Sequence, residues 1–176
     1  IIYFPTVSTK KHIDDHKKVG FVGAGKSSVP ETPIVYVDED GNMDPAAIEV
    51  LKYMAEHDMV LGTGHGNLWE IDHLVDEAAE LGVKRILVSH PHYNVGASYE
   101  QMAKWAKMGA FIELNVCVFE SGSKIGNVKD IVAKEMIEAC GAEHIILDSD
   151  MGQSGNGSPV EGMYNFISLL MNEFGI

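Results

Sequence analysis

The chain has 176 residues, a length that suits one domain with a sizeable buried core. Its 26 acidic against 13 basic residues leave a formal charge of −13 at pH 7, which argues against nucleic acid and anionic membrane as partners. No apolar run approaches the roughly 20 residues of a membrane-spanning helix, and two cysteines, Cys117 and Cys140, are too few for a disulfide framework, so a reducing, cytoplasmic compartment is expected.

The first predicted element is the apolar run IIYFPTV, residues 1–7, which reads as a strand. No initiator methionine precedes it, and chains rarely start inside a core strand, so a fragment, or a processed chain whose missing part lies elsewhere, is expected. Residues 8–43 follow as an irregular insertion rich in Gly, Lys, Asp and Pro, with IVYVDEDGNM as a β excursion. Within it GFVGAGKSS sets Gly20, Gly25, Lys26 and Ser27 in the phosphate-loop spacing G-x-x-x-x-G-K-[ST]. Such a loop works only between a buried strand and a helix whose N-terminus supplies the amides. Here KKHIDDHKKV upstream is charged, and Pro30 and Pro33 stand downstream where the helix would run. A surface loop is therefore expected, with nucleotide binding through residues 20–27 as the alternative.

From residue 44 onward helical and strand patterns alternate. DPAAIEVLKYMAEHD predicts a helix capped by Asp44, with Pro45 in its first position and Ile48, Leu51 and Met54 on one buried face. MVLGTGH reads as a strand, and LWEIDHLVDEAAELG as a helix with Ile71, Leu74, Val75 and Ala78 inward and Gly82 as its stop. VKRILVSHP is the next strand. SYEQMAKWAKMG repeats the helical scheme, with Ser98 and Gln101 at capping-box positions and Gly109 ending it. AFIELNVCVF, carrying Cys117, reads as a strand, NVKDIVAKEMIEACG as a helix, AEHIILDSDMG as a strand and VEGMYNFISLLMNEFGI as the last helix. Strands joined through helices lie parallel with right-handed crossovers, so residues 1–176 are expected to form one α/β domain of five strands.

In parallel α/β proteins ligands gather at the carboxyl ends of the strands. The strand after Met59 ends in GTGHG with His65, the strand after Arg85 ends in SHPHY with His90, His92 and Tyr93, and the last strand ends in DSD with Asp148 and Asp150. Histidine nitrogens and an aspartate oxygen are the donors that zinc, manganese or iron accepts, and three protein ligands leave room for a water. Asp148 is expected as a partner behind the site or as a carboxylate bonded to backbone. Glu113 and Asn115, alternating on their strand, point to one face. His12, His16, His57, His73 and His144 fall in the irregular segment, in helices or at a strand entrance, and are expected to be structural or solvated. Trp69 and Trp105 sit in helical patterns, where packing is their expected role.

At VLGTGHG, RILVSHPHY and IILDSDMGQ the sequence resembles the amidohydrolase superfamily of metal-dependent hydrolases, in a branch related to its phosphotriesterase-like and TatD-like proteins. The resemblance implies a TIM-like (β/α)8 barrel to which this chain contributes about strands four to eight, with an open five-stranded parallel sheet as the alternative. It implies that His65, His90 and Asp150 end strands five, six and eight and hold a divalent metal, zinc or manganese, and that Asp150 takes the proton of the metal-bound water. His92, Tyr93, Asn115 and Gln153, beside those ends, are the expected substrate contacts. No H-x-H pair precedes IIYFPTV, and residues 1–7 hold neither the lysine nor the glutamate with which relatives bridge two metals, so a single-metal site, or no functional site in this chain alone, is expected. The function expected is hydrolysis of an ester, lactone, amide or phosphoester through a metal-activated water. The expected partners are a small-molecule substrate, the amino-terminal half of the barrel and further copies of the chain. The alternatives are a nucleotide-binding protein and a non-catalytic barrel-half scaffold.

Overall fold

The computed structural model describes the backbone of residues 1–19 and 32–176. The phosphate-loop spacing at residues 20–27 lies outside the described residues. Two compact units are formed, Ile1–Ala97 with Met108–Ala110, and Ser98–Lys107 with Phe111–Ile176.

The first unit holds strands β1 (Ile2–Tyr3), β2 (Val60–Gly62) and β3 (Arg85–Val88) and helices α1 (Lys10–Val19), α2 (Pro45–Glu56) and α3 (Leu68–Glu80). β1 pairs with β2, and β2 with β3, both in parallel, with Tyr3 opposite Gly62 and Gly62 opposite Leu87. Helix α2 forms where its sequence predicts: the Asp44 carboxylate accepts the Ala46 N–H, Pro45 sits in the first turn, and Leu51 and Met54 are fully buried, but Ile48 is only half-buried and Ala47 takes the buried place in its turn. Helix α3 buries Ile71, Leu74, Val75 and Ala78, and Gly82 follows it at φ +86°. Its start carries a capping box that the sequence reading did not assign, Asn67 with Glu70.

Helix α1 lies inside the segment read as irregular. Its charged run lacks an apolar stripe, which hid it from a periodicity argument. Three local features form it instead: Thr9 Oγ1 accepts the His12 N–H at 3.1 Å, Ile13 is buried, and Lys11 pairs with Asp15 one turn on at 2.6 Å. The expected β excursion is present as an antiparallel bridge between Val37 and Met43.

The second unit holds α4 (Tyr99–Lys107), β4 (Phe111–Asn115), α5 (Ile131–Cys140), β5 (Ile145–Asp148) and α6 (Pro159–Leu169). Strands β4 and β5 are parallel, from Ile112 opposite Ile145 to Asn115 opposite Asp148. The core takes Met102 and Trp105 from α4, Ile112 and Leu114 from β4, and Met136 from α5. The strand expected over AFIELNVCVF stops at Asn115, and Val116–Val118 turn as a 3-10 helix, so Cys117 sits on a turn. The reason is local: Phe119 N–H and Glu120 N–H both close back onto the Val116 carbonyl, at 2.9 and 3.0 Å.

Every strand pairing within each unit is parallel, so the α/β class expected from the alternation is the class observed. Among the described residues no helix is long and apolar enough to cross a membrane.

Candidate active site

In the first unit, the sequence TGHG after β2 carries His65 on a backbone packed closely against the segment after β1. Gly64 has φ +68°, and a Cβ there would lie 2.4 Å from the Pro5 carbonyl oxygen and 2.5 Å from that of Phe4. Only glycine allows this approach of two chain segments. His65 N–H then donates to the Pro5 carbonyl at 3.1 Å, and the His65 carbonyl accepts from the buried Thr9 hydroxyl at 2.9 Å. Both backbone polar groups of His65 are thus held by the segment that follows β1.

His90 follows β3 through Ser89, and its backbone sits at φ +48°, ψ +46°, the left-handed region that side chains other than glycine rarely adopt. Strain of this kind gathers at functional sites. The His65 and His90 rings meet edge to face with centroids 5.0 Å apart. On the other side of His65, the Nδ1 atoms of His12 and His65 lie 3.0 Å apart. The structure therefore brings together three imidazoles, of which the sequence singled out two.

The first unit also holds three buried polar atoms with no hydrogen-bond partner among the described residues: Tyr36 hydroxyl, Ser89 Oγ and His92 Nδ1. Tyr36 packs edge to face on Phe4 at 5.3 Å, and its hydroxyl occupies the space that a Cβ on Gly66 would take, 2.3 Å away. Burial first, and the Glu70 carboxylate second, push its pKa upward, so it remains a neutral donor. Burial lowers the His92 pKa, which favours the neutral ring. Tyr93 is half exposed. Lys11 of α1 donates to Asn94 Oδ1 at 2.8 Å, tying the helix to the turn that carries His92 and Tyr93.

In the second unit, the Asn115 amide donates to both oxygens of Asp148, at 2.9 and 3.0 Å, as their paired register dictates. Asp150 is exposed and sits at φ +43°, so the alternation of β5 no longer governs where it points. Its Oδ2 accepts from the Cys117 thiol at 3.4 Å. Burial, followed by the charges of Asp150, Asp148 and Glu113, pushes that thiol up to about 12. Gln153 is exposed, and its carbonyl accepts the Asn156 N–H at 3.2 Å.

Sequence reasoning missed His12, Thr9, Tyr36 and Cys117. Only Thr9 left a local signal, a threonine three residues before His12 at a helix start. The others rest on contacts between distant segments: His12 meets His65 53 positions on, Tyr36 packs on Phe4, and the Cys117 thiol donates to Asp150.

The donor chemistry bears on a metal. Two imidazoles at adjacent strand ends are donors that zinc and manganese accept. Among the described residues, however, no group of three or more His, Cys, Asp or Glu is arranged to hold a metal ion.

Fold and site together define an α/β protein with parallel strands and imidazoles at their carboxyl ends. The model of a family of unknown function, DUF6282, matches residues 1–113, and the chain belongs to that family. The match takes in His12, His65 and His90 and ends before Asn115, Cys117 and Asp150. No curated protein and no solved structure matches the chain.

Proposed function

We propose that the protein is a metal-dependent hydrolase acting on an ester, lactone, amide or phosphoester. The observation that carries this reading is the edge-to-face pair of His65 and His90, 5.0 Å apart at the ends of the paired strands β2 and β3. The left-handed backbone of His90 and of Asp150 supports it, because both are expected ligands held at a conformational cost. In this reading the strands are the fourth to eighth of a (β/α)8 barrel, and His65, His90 and Asp150 are the protein ligands of one zinc or manganese ion. When bound, the ion would bring the pKa of a water towards neutrality and polarise a carbonyl or phosphoryl oxygen.

The remaining roles belong to the chain itself. Asp150, exposed at its strand end, takes the proton of the attacking water. His92, a neutral ring with a buried Nδ1 that has no partner among the described residues, suits a hydrogen bond to substrate. Tyr93 and Gln153 have the exposure needed to touch a small molecule. Asn115, engaged with Asp148, contributes through that carboxylate.

The test is turnover of p-nitrophenyl acetate, a γ-lactone and bis(p-nitrophenyl) phosphate by the purified protein, with and without added zinc or manganese. The reading expects metal-dependent hydrolysis of at least one, reduced about 100-fold or more by Asp150→Asn. Absence of metal-dependent turnover, or an Asp150→Asn enzyme as active as wild type, contradicts it.

A further inference from the structure

We propose that Cys117 is a positioning residue for Asp150: its thiol donates to Asp150 Oδ2 and holds this exposed carboxylate in one orientation. The catalytic part played by Asp150 rests on the hydrolase reading; the tether itself does not. The contact is 3.4 Å long, and an ionised carboxylate can only accept, so the thiol is the donor. A thiol is a weak donor, and the charge on its acceptor strengthens the bond.

The ends of β4 and β5 bring the two residues together. Strand pairing stops with Asn115 opposite Asp148, and just beyond it the Cys117 N–H donates to the Ser149 carbonyl at 3.0 Å. Cys117 thus grips two successive residues, Ser149 through its backbone and Asp150 through its side chain. Both sides of the grip are anchored. Val116, Cys117 and Val118 are buried in the 3-10 turn, and Met151, next after Asp150, is buried with its sulfur where a Cβ on Gly162 would stand. Asp150 itself is exposed on left-handed backbone at φ +43°. An exposed aspartate is otherwise spread over staggered rotamers, from which a donor fixed in the core selects one. A carboxylate that must meet one atom gains from being held before the reaction. Cysteine suits the task, because it packs as a small apolar residue and still offers one donor.

The test is infrared spectroscopy of the S–H stretch, which falls in frequency when a thiol donates, together with NMR of the Asp150 side chain, both on the metal-free protein. In Asp150→Ala one thiol band should move to higher frequency, and Cys117→Val should remove that band. If no band moves in Asp150→Ala, the proposal is overturned even if no Cys117 variant folds. Three-bond couplings to the Asp150 carboxyl carbon should report one χ1 rotamer in the wild type and averaging in Cys117→Val. In Cys117→Ser, which keeps a donor, the single rotamer should return. An averaged wild type, or an unchanged rotamer in folded Cys117→Val, also overturns the proposal.

Titration with Zn2+ on the same samples separates the tether from the hydrolase reading. Affinity about 10-fold or more weaker in Cys117→Val, recovered in Cys117→Ser, supports the positioning role. Zn2+ bound as tightly by Cys117→Val as by the wild type contradicts it. If the wild type binds no Zn2+, the ligand reading of Asp150 falls, and the infrared and coupling measurements alone decide the role of Cys117.

Discussion

The Asn115 side chain spans both carboxylate oxygens of Asp148, and it can do so because β4 and β5 set the two residues opposite each other. Asn115 is nearly fully buried and Asp148 half-buried, so replacing Asn115 leaves a carboxylate that water reaches only in part. Asn115→Ala should cost about 1–2 kcal/mol, towards the lower end of the penalty for removing one partner of a buried polar pair. Asn115→Asp should cost more, because it sets two carboxylates face to face. Urea unfolding checks both as a lowered midpoint with an unchanged slope.

Gly64 separates steric from conformational cost. It combines φ +68° with two carbonyl oxygens within 2.5 Å of the place a methyl group would take, whereas Gly82, at φ +86°, has nothing within 4 Å. Gly82→Ala should therefore lose about 1–2 kcal/mol from backbone conformation alone. Gly64→Ala should lose clearly more, about 3 kcal/mol or above. Equal losses would mean that β1 and the turn after β2 do not approach as described.

His90 and Asp150 both carry side chains on left-handed backbone, at φ +48° and +43°. If function retains them there, glycine should relieve the strain. His90→Gly should be more stable than His90→Ala, and Asp150→Gly more stable than Asp150→Ala, each by about 1 kcal/mol. Thermal or urea midpoints of the four variants test this, and alanine variants as stable as the glycine ones would remove the strain argument.

Both cysteines are free and buried. Burial pushes the Cys140 thiol up to about 11 from an ordinary 9.0. A folded pKa above the unfolded one means that the folded state holds the proton more tightly. Its contribution to stability is complete below pH 9, and it is lost as pH rises towards 11. Ellman's reagent at pH 8 should accordingly find no fast-reacting thiol in the native protein and both thiols in urea. A fast-reacting thiol in the native protein would contradict the burial.

What could be read from the sequence was what neighbours along the chain decide. Asp44 and Pro45 announce α2, and Gly82 ends α3, because caps and stops act within one turn. His65 and His90 could be placed at strand ends because the alternation of elements fixes where parallel strands stop. Helix α1 was hidden by its missing apolar stripe, since ion pairs and a threonine cap leave no helical periodicity. The turn at Val116–Val118 was hidden for the opposite reason, as its apolar run suits a strand until the pairing with β5 ends at Asn115. The contact of His12 with His65 spans 53 positions, which no local pattern encodes.

The most direct test of the hydrolase reading is calorimetric titration of Zn2+ into chelator-treated wild type, His65→Ala and His90→Ala. The wild type should bind about one ion, and each variant should bind it at least about 10-fold more weakly. A wild type that binds no zinc, or variants that bind it as tightly, would contradict a metal centre built on His65 and His90.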